Sequence, residues 1–279
     1  MKPMVVTEDL RYTYEDGTEA LRGITVKIKR GEKVAVMGAN GSGKSTFFHH
    51  LNGLLKPTAG RVLIEGEPVD YSRKGLLKVR KKVGFVFQNP DDQLFSASVR
   101  QEISFGALNL GLSEEEAVRR VEGIMEALNI TPFAHKPVHL LSGGQKKQVA
   151  IADILVMEPE LIILDEPTAA LDSRHTRIID GIVDSLRDRG ITVLLSTHSS
   201  ERALLWADRI IVFDRGLVAA EGAPEEIFSD HELLKRANLE KPAVLRIFEI
   251  LEREGVLKEG LKRPRGVDEL EAYIKERNR

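Results

Sequence analysis

Short β-branched runs alternate with helical stretches across residues 1–222, the pattern of strands feeding helices in an α/β domain. Lys33–Met37, Val83–Phe87, Leu161–Leu164, Ile191–Leu195 and Ile210–Phe213 are apolar without alternation, which predicts sheet-core strands covered on both faces. The opening segment through Lys29 alternates more and carries the turn signal Asp16-Gly17, so it reads as an antiparallel edge sheet. Around residues 96–157 the period changes. Ser113-Glu114-Glu115-Glu116 has the form of a capping box ahead of Ala117, Val118, Val121, Ile124, Met125 and Leu128 at helical spacing, which predicts an inserted helical subdomain. After Gly222 the chain turns charged and helical. Val244, Ile247, Phe248 and Leu251 form one stripe, and a second short helix is expected from Asp268. The predicted architecture is an α/β domain over residues 1–222 and a helical extension over 223–279, packed as a cap or serving as a dimer-stabilising appendage.

Composition narrows the function classes. Among 279 residues, 41 Lys and Arg face 43 Asp and Glu, so the formal charge of −2 argues against nucleic-acid binding by bulk charge. The absence of cysteine excludes disulfide frameworks, thiolate metal sites and cysteine nucleophiles. The opening residues lack the apolar run of a signal peptide, and the longest apolar runs fall far below the roughly 20 residues of a membrane span, so a cytoplasmic protein is expected. Any membrane association would come through a partner.

Gly38-Ala39-Asn40-Gly41-Ser42-Gly43-Lys44-Ser45 follows one predicted strand and opens a helix beginning near Thr46, the setting a phosphate loop requires. Its glycines let backbone N–H groups curl around phosphate oxygens, Lys44 reaches the terminal phosphates, and the Ser45 hydroxyl suits Mg²⁺. Asp165 and Glu166 end another core strand, placing one carboxylate near the metal and the other where an attacking water would sit. His198 and Gln88 arrive at the same ligand edge of the sheet. His198 is expected to sense a γ-phosphate, and the Gln88 amide to ligate Mg²⁺ or orient water. Tyr14 offers a flat face for a base, with Tyr12 as its competitor. His49, His50, His135 and His139 lack the carboxylate pattern of a metal site. Leu141-Ser142-Gly143-Gly144-Gln145 adds a second anion-recognising helix start, which one nucleotide site does not explain. Two copies placed head to tail would complete two sites between them.

The phosphate loop, Gln88, the LSGGQ segment at 141–145, the acidic pair 165–166, Ala170-Leu171-Asp172 and His198 together resemble the nucleotide-binding domain of the ATP-binding cassette family over roughly residues 4–222. The resemblance implies a two-lobed domain whose copies sandwich two ATP with Mg²⁺. Ser142, Gly143, Gly144 and Gln145 of one subunit would face the nucleotide held by the other's Gly38, Asn40, Gly41, Ser42, Gly43, Lys44, Ser45 and Thr46. It further implies Glu166 as general base and Asp172 as a cross-dimer contact. Gln88-Asn89-Pro90-Asp91-Asp92-Gln93-Leu94-Phe95, with the helical tail, is similar to the cobalt-type and energy-coupling-factor importers of metal ions and vitamins. That narrower likeness implies a transmembrane scaffold, a membrane-embedded substrate-binding subunit, and a homodimer or a heterodimer with a paralogue, at the cytoplasmic face of the membrane. Gln148 stands where relatives commonly carry arginine, which puts a salt bridge to the helical lobe in doubt. The competing reading is a cytosolic ATPase used as a nucleotide-controlled clamp. Such relatives pair two cassettes or insert a long coiled coil, and the insertion of roughly 45 residues is too short for sustained heptads.

Overall fold

The computed structural model describes residues 2–258 and 260–277. Among these described residues ten strands form: β1 (Val5–Thr13), β2 (Glu19–Ile28), β3 (Lys33–Met37), β4 (Ala59–Ile64), β5 (Glu67–Pro68), β6 (Val83–Val86), β7 (Leu161–Leu164), β8 (Thr192–Ser196), β9 (Arg209–Asp214) and β10 (Leu217–Gly222). They divide into an antiparallel sheet ordered β2-β1-β4-β5 and a six-stranded sheet ordered β10-β9-β3-β8-β7-β6. In the second sheet every neighbouring pair is parallel except β9–β10, which is a hairpin at the edge. The predicted edge sheet thus exists, but it is a separate layer completed by β4 and β5. Five of the eight residues in those two strands are exposed, which is why apolar runs did not reveal them. β6, β7 and β8 are buried at every residue, as strands covered on both faces must be. Ile191 and Phe87 fall just outside the ladders they were expected to join.

The helices are α1 (Lys44–Leu51), α2 (Arg73–Lys82), α3 (Val99–Asn109), α4 (Glu114–Ala127), α5 (Gly143–Leu155), α6 (Ser173–Ser185), α7 (Ser200–Trp206), α8 (Pro224–Ile227), α9 (His231–Ala237), α10 (Ala243–Arg253) and α11 (Val267–Arg277). α3, α4 and α5 make the helical subdomain. Two expectations there need correction. Ser113 caps α4 through the Glu116 N–H at 3.3 Å, but the return half of the capping box is missing, because the Glu116 carboxylate is held by Arg119 and Arg120 instead. Val118, placed on the apolar stripe, is 45% exposed. In the extension, Val244 and Phe248 are buried as expected, whereas Ile247 points to solvent at 49%. Gln148, on α5, makes its contact within the helical lobe as a neutral donor: its side-chain amide bonds the Leu128 carbonyl at the end of α4. The extension joins the same apolar core as the strands, through Phe228, Leu234, Leu245, Phe248 and Leu270.

Candidate nucleotide site

Because β3, β8, β7 and β6 are adjacent and parallel, their carboxyl ends open on one edge, where α/β sheets bind ligands. The segments leaving them carry Gly38–Ser45, His198, Asp165-Glu166 and Gln88 in that spatial order. A cleft of about 620 Å³ lies there, and Lys44, Ser45, Gln88, Asp165, Glu166 and His198 all line it.

The phosphate loop needs glycine for steric reasons at two positions. Gly38 has φ +138°, and a Cβ on it would stand 2.2 Å from the Phe213 carbonyl oxygen. Gly43 has φ +107°, and its Cβ would meet the Ala20 carbonyl at 2.8 Å. These contacts fold the loop tightly onto β9 and β2 and aim α1 at the cleft. α1 starts without a side-chain cap or an acidic residue in its first turn, leaving its first N–H groups to an anion. Lys44 Nζ donates to the carbonyls of Gly38 at 2.8 Å and Ala39 at 3.0 Å, and burial lowers its pKa. Asn40, Gly41 and Thr46 line the cleft as well, while Ser42 is buried with an unpartnered hydroxyl.

Behind Lys44 stands a relay of oxygens. Ser45 Oγ donates to Asp165 Oδ2 at 2.7 Å, Ser196 Oγ donates to Asp165 Oδ1, and Ser196 Oγ accepts the Glu166 N–H at 2.8 Å. This holds both Asp165 oxygens as acceptors and sets one beside the Ser45 hydroxyl, a pair of hard oxygens of the kind Mg²⁺ prefers. Glu166 takes a left-handed backbone conformation, φ +45°, which turns its carboxylate into the cleft. Its Oε1 is buried with no hydrogen-bond donor among the described residues, and His198 Nε2 stands 3.3 Å away. Burial raises the Glu166 pKa, against the opposing pull of His198 and Lys44. A carboxylate with a raised pKa and a free oxygen is equipped to accept a proton.

Tyr14 lines the cleft, 39% exposed, with its hydroxyl bonded to Thr46 Oγ1 at 2.9 Å. Tyr12 packs edge-on against Tyr14 and His50 instead. Ser142, Gly143, Gly144, Gln145 and Asp172 do not line the cleft. Ser142 and Gln145 form a full capping box at the start of α5, and Asp172 caps α6 while pairing with His175 at 2.8 Å. Sequence reasoning missed Ser196, whose only signal was its place two residues before His198 on the same strand end. It also missed Arg215 and Gly216, contributed by the β9–β10 turn from the far side of the cleft.

Fold and cleft together define a phosphate-loop nucleotide-binding protein. The profile of the family described as ABC transporter matches residues 21–169. An energy-coupling factor transporter ATP-binding protein of Methanocaldococcus jannaschii is 49% identical over 251 residues, 90% of either chain. A protein of the same description from Methanococcus maripaludis is 47% identical over 270 residues, 97% of this chain and 96% of the relative. The solved structure of cbiO1 from Clostridium perfringens, described as part of the ABC transporter complex cbiONQ, matches with a TM-score of 0.76 at 45% identity, covering 90% of this chain and 100% of that one. The chain belongs to the ABC transporter family, and it is an ATPase of that family.

Proposed function

We propose that the chain is the ATP-hydrolysing subunit of an energy-coupling-factor-type importer for a metal ion such as cobalt or nickel, or a vitamin-type solute. It acts as a head-to-tail dimer, with a second copy or a paralogue, at the cytoplasmic face of the membrane. The observation that carries the catalytic part is the buried, unpartnered Glu166 oxygen sharing one cleft with Lys44 and the Ser45–Asp165 pair. The descriptions of the relatives support the importer part.

In this reading Lys44 and the first N–H groups of α1 hold the terminal phosphates, and Tyr14 lies against the base. Ser45, Asp165 and the Gln88 amide would hold Mg²⁺, which when bound neutralises phosphate charge. Glu166 takes the proton of the attacking water, and His198 contacts the γ-phosphate. Ser142–Gln145 and Asp172, which lie outside the cleft of their own chain, close on the nucleotide held by the other subunit. Loss of the γ-phosphate removes the anion that this second subunit grips, and the dimer reopens.

An apolar groove of about 400 Å³ supports docking to a membrane partner. It lies between the strand core and the helical subdomain, lined by Leu54, Leu77, Phe85, Phe87, Leu110 and Met157. No helix among the described residues is long and apolar enough to cross a membrane, so the solute path belongs to other subunits in this scheme.

Two measurements test the proposal. Glu166→Gln is expected to bind ATP, accumulate closed dimers in light scattering, and turn over about 100-fold more slowly or worse. Brisk steady turnover by that variant would sink the catalytic assignment. Tagged protein recovered from gently solubilised membranes of its own cell is expected to bring a polytopic scaffold and a small membrane-embedded binding protein. Recovery of cytosolic or nucleic-acid partners alone would move the reading to the cytosolic clamp.

A further inference from the structure

Lys147 is 1% exposed, which is unusual for a lysine. Its ammonium pairs with no carboxylate among the described residues. Two successive backbone carbonyls receive it, those of Phe87 at 3.0 Å and Gln88 at 2.6 Å. Burying an ammonium against neutral acceptors is unfavourable relative to burying a methionine or a glutamine of similar length. What the ammonium provides is a single point donor that bonds adjacent carbonyls, which fixes the peptide between Phe87 and Gln88 and so the direction in which the Gln88 side chain leaves the backbone.

Lys147 sits in α5 just beyond the Ser142–Gln145 capping box. The same helix grips the rest of the segment that follows β6. Gln93 Nε2 donates to the Ala150 carbonyl at 2.8 Å, its Oε1 accepts the Phe87 N–H at 3.3 Å, and Lys146 pairs with Asp91 at 2.6 Å. From the helical subdomain's other side, the fully buried Glu102 accepts the N–H groups of Phe95 at 2.9 Å and Ser96 at 2.6 Å. Residues 87–96 are therefore fastened to the helical subdomain along their length, while β6 belongs to the strand core.

We propose that Lys147 is a positioning residue: it latches the Phe87–Gln88 backbone to the first turns of α5, so that the Gln88 amide in one site and the Ser142–Gln145 segment offered to the other move as one body. The inference rests on the proposed function, in which both groups meet nucleotide. Binding that draws Gln88 toward the metal then turns α5 and aims Ser142 at the second subunit. Without the latch, the Phe87–Gln88 peptide keeps only the longer 3.3 Å link through Gln93 to α5, and less of the Gln88 movement passes to that helix.

The full-length chain tests this directly. Because it contains no cysteine, Val118→Cys on α4 and Leu217→Cys on β10, both exposed, give two unambiguous spin-label sites that report the angle between helical subdomain and strand core. In Lys147→Met, the ATP dissociation constant and melting temperature are expected to stay near those of the parent. Its kcat is expected to fall about tenfold or more, with the ATP-dependent change in label distance clearly reduced. Lys147→Gln, which can still donate to one carbonyl, is expected to recover part of both, and it carries the test if the methionine variant does not fold. The proposal is overturned if Lys147→Met keeps kcat and the label response. It is equally overturned if ATP affinity and melting temperature fall and KM rises as kcat falls, the signature of a packing role alone. If the parent itself neither hydrolyses ATP nor changes label distance, the functional reading fails first and the latch with it.

Discussion

Asp153, on α5, shows how a single half-buried carboxyl sets a stability profile. Burial pushes its pKa up to about 7, the Glu102 carboxylate adds to the rise, and the Gln93 amide at 3.2 Å opposes it. The folded chain therefore binds this proton more tightly than the unfolded chain does. The associated stability is complete below the ordinary carboxylate range and is lost as pH rises through about 7. Asp153→Asn is expected to raise unfolding stability by about 1–2 kcal/mol near pH 8 and to change it little near pH 4, flattening the slope between. Urea unfolding at the two pH values checks this, and an equal gain at both would show that the effect is packing. Glu166 illustrates the opposite use of burial, in which an unpartnered oxygen and a left-handed backbone are kept at the site where chemistry is proposed.

At the scale of elements, the contact between α5 and β6 couples the helical subdomain to the sheet. Gly84 in β6 permits it: a Cβ there would stand 2.2 Å from Ile154 Cγ2 on α5. Gly84→Ala is expected to destabilise the fold by about 1–3 kcal/mol through overpacking. The penalty should shrink by about 0.5–3 kcal/mol when Ile154→Ala makes room, which a double-mutant cycle in urea measures. Strict additivity would mean that the helix shifts instead of pressing on the strand. The glycine gave no such signal in the linear chain, where it was one small residue inside an apolar run.

Across the whole molecule, one apolar core runs from β7 and β8 through the helical subdomain into the C-terminal helices. Phe248, on α10, is 1% exposed and belongs to that core, with Tyr273 of α11 at 6.3 Å between ring centroids. Arg265, just before α11, binds Glu225 through two nitrogens and donates to the Ala207 carbonyl at 3.0 Å, tying the extension to the end of α7. Phe248→Ala is expected to remove about 3–5 kcal/mol and to lower the fluorescence transition of Trp206, the sole tryptophan, together with the circular-dichroism transition. An early separate transition that leaves Trp206 unchanged would mark the extension as an independent unit.

The sequence alone determined what local chemistry can fix. Apolar runs without alternation marked β3, β6, β7, β8 and β9. A glycine-rich turn before Lys44 announced a phosphate loop, since that backbone needs those glycines wherever it occurs. The motif spacing also carried the family. Tertiary structure alone decided which strands are neighbours, and so brought the carboxyl ends of β3, β8, β7 and β6 to one edge. It also joined Ser45 to Asp165 through a contact 120 residues apart in the chain, added Ser196 behind them, and kept Ser142–Gln145 out of the cleft. Lys147 became legible only there, because a lysine in a helix reads as a solvated face until packing encloses it. Period and motif are properties of neighbours along the chain, whereas burial, orphaned atoms and shared edges arise from pairings that no local pattern encodes.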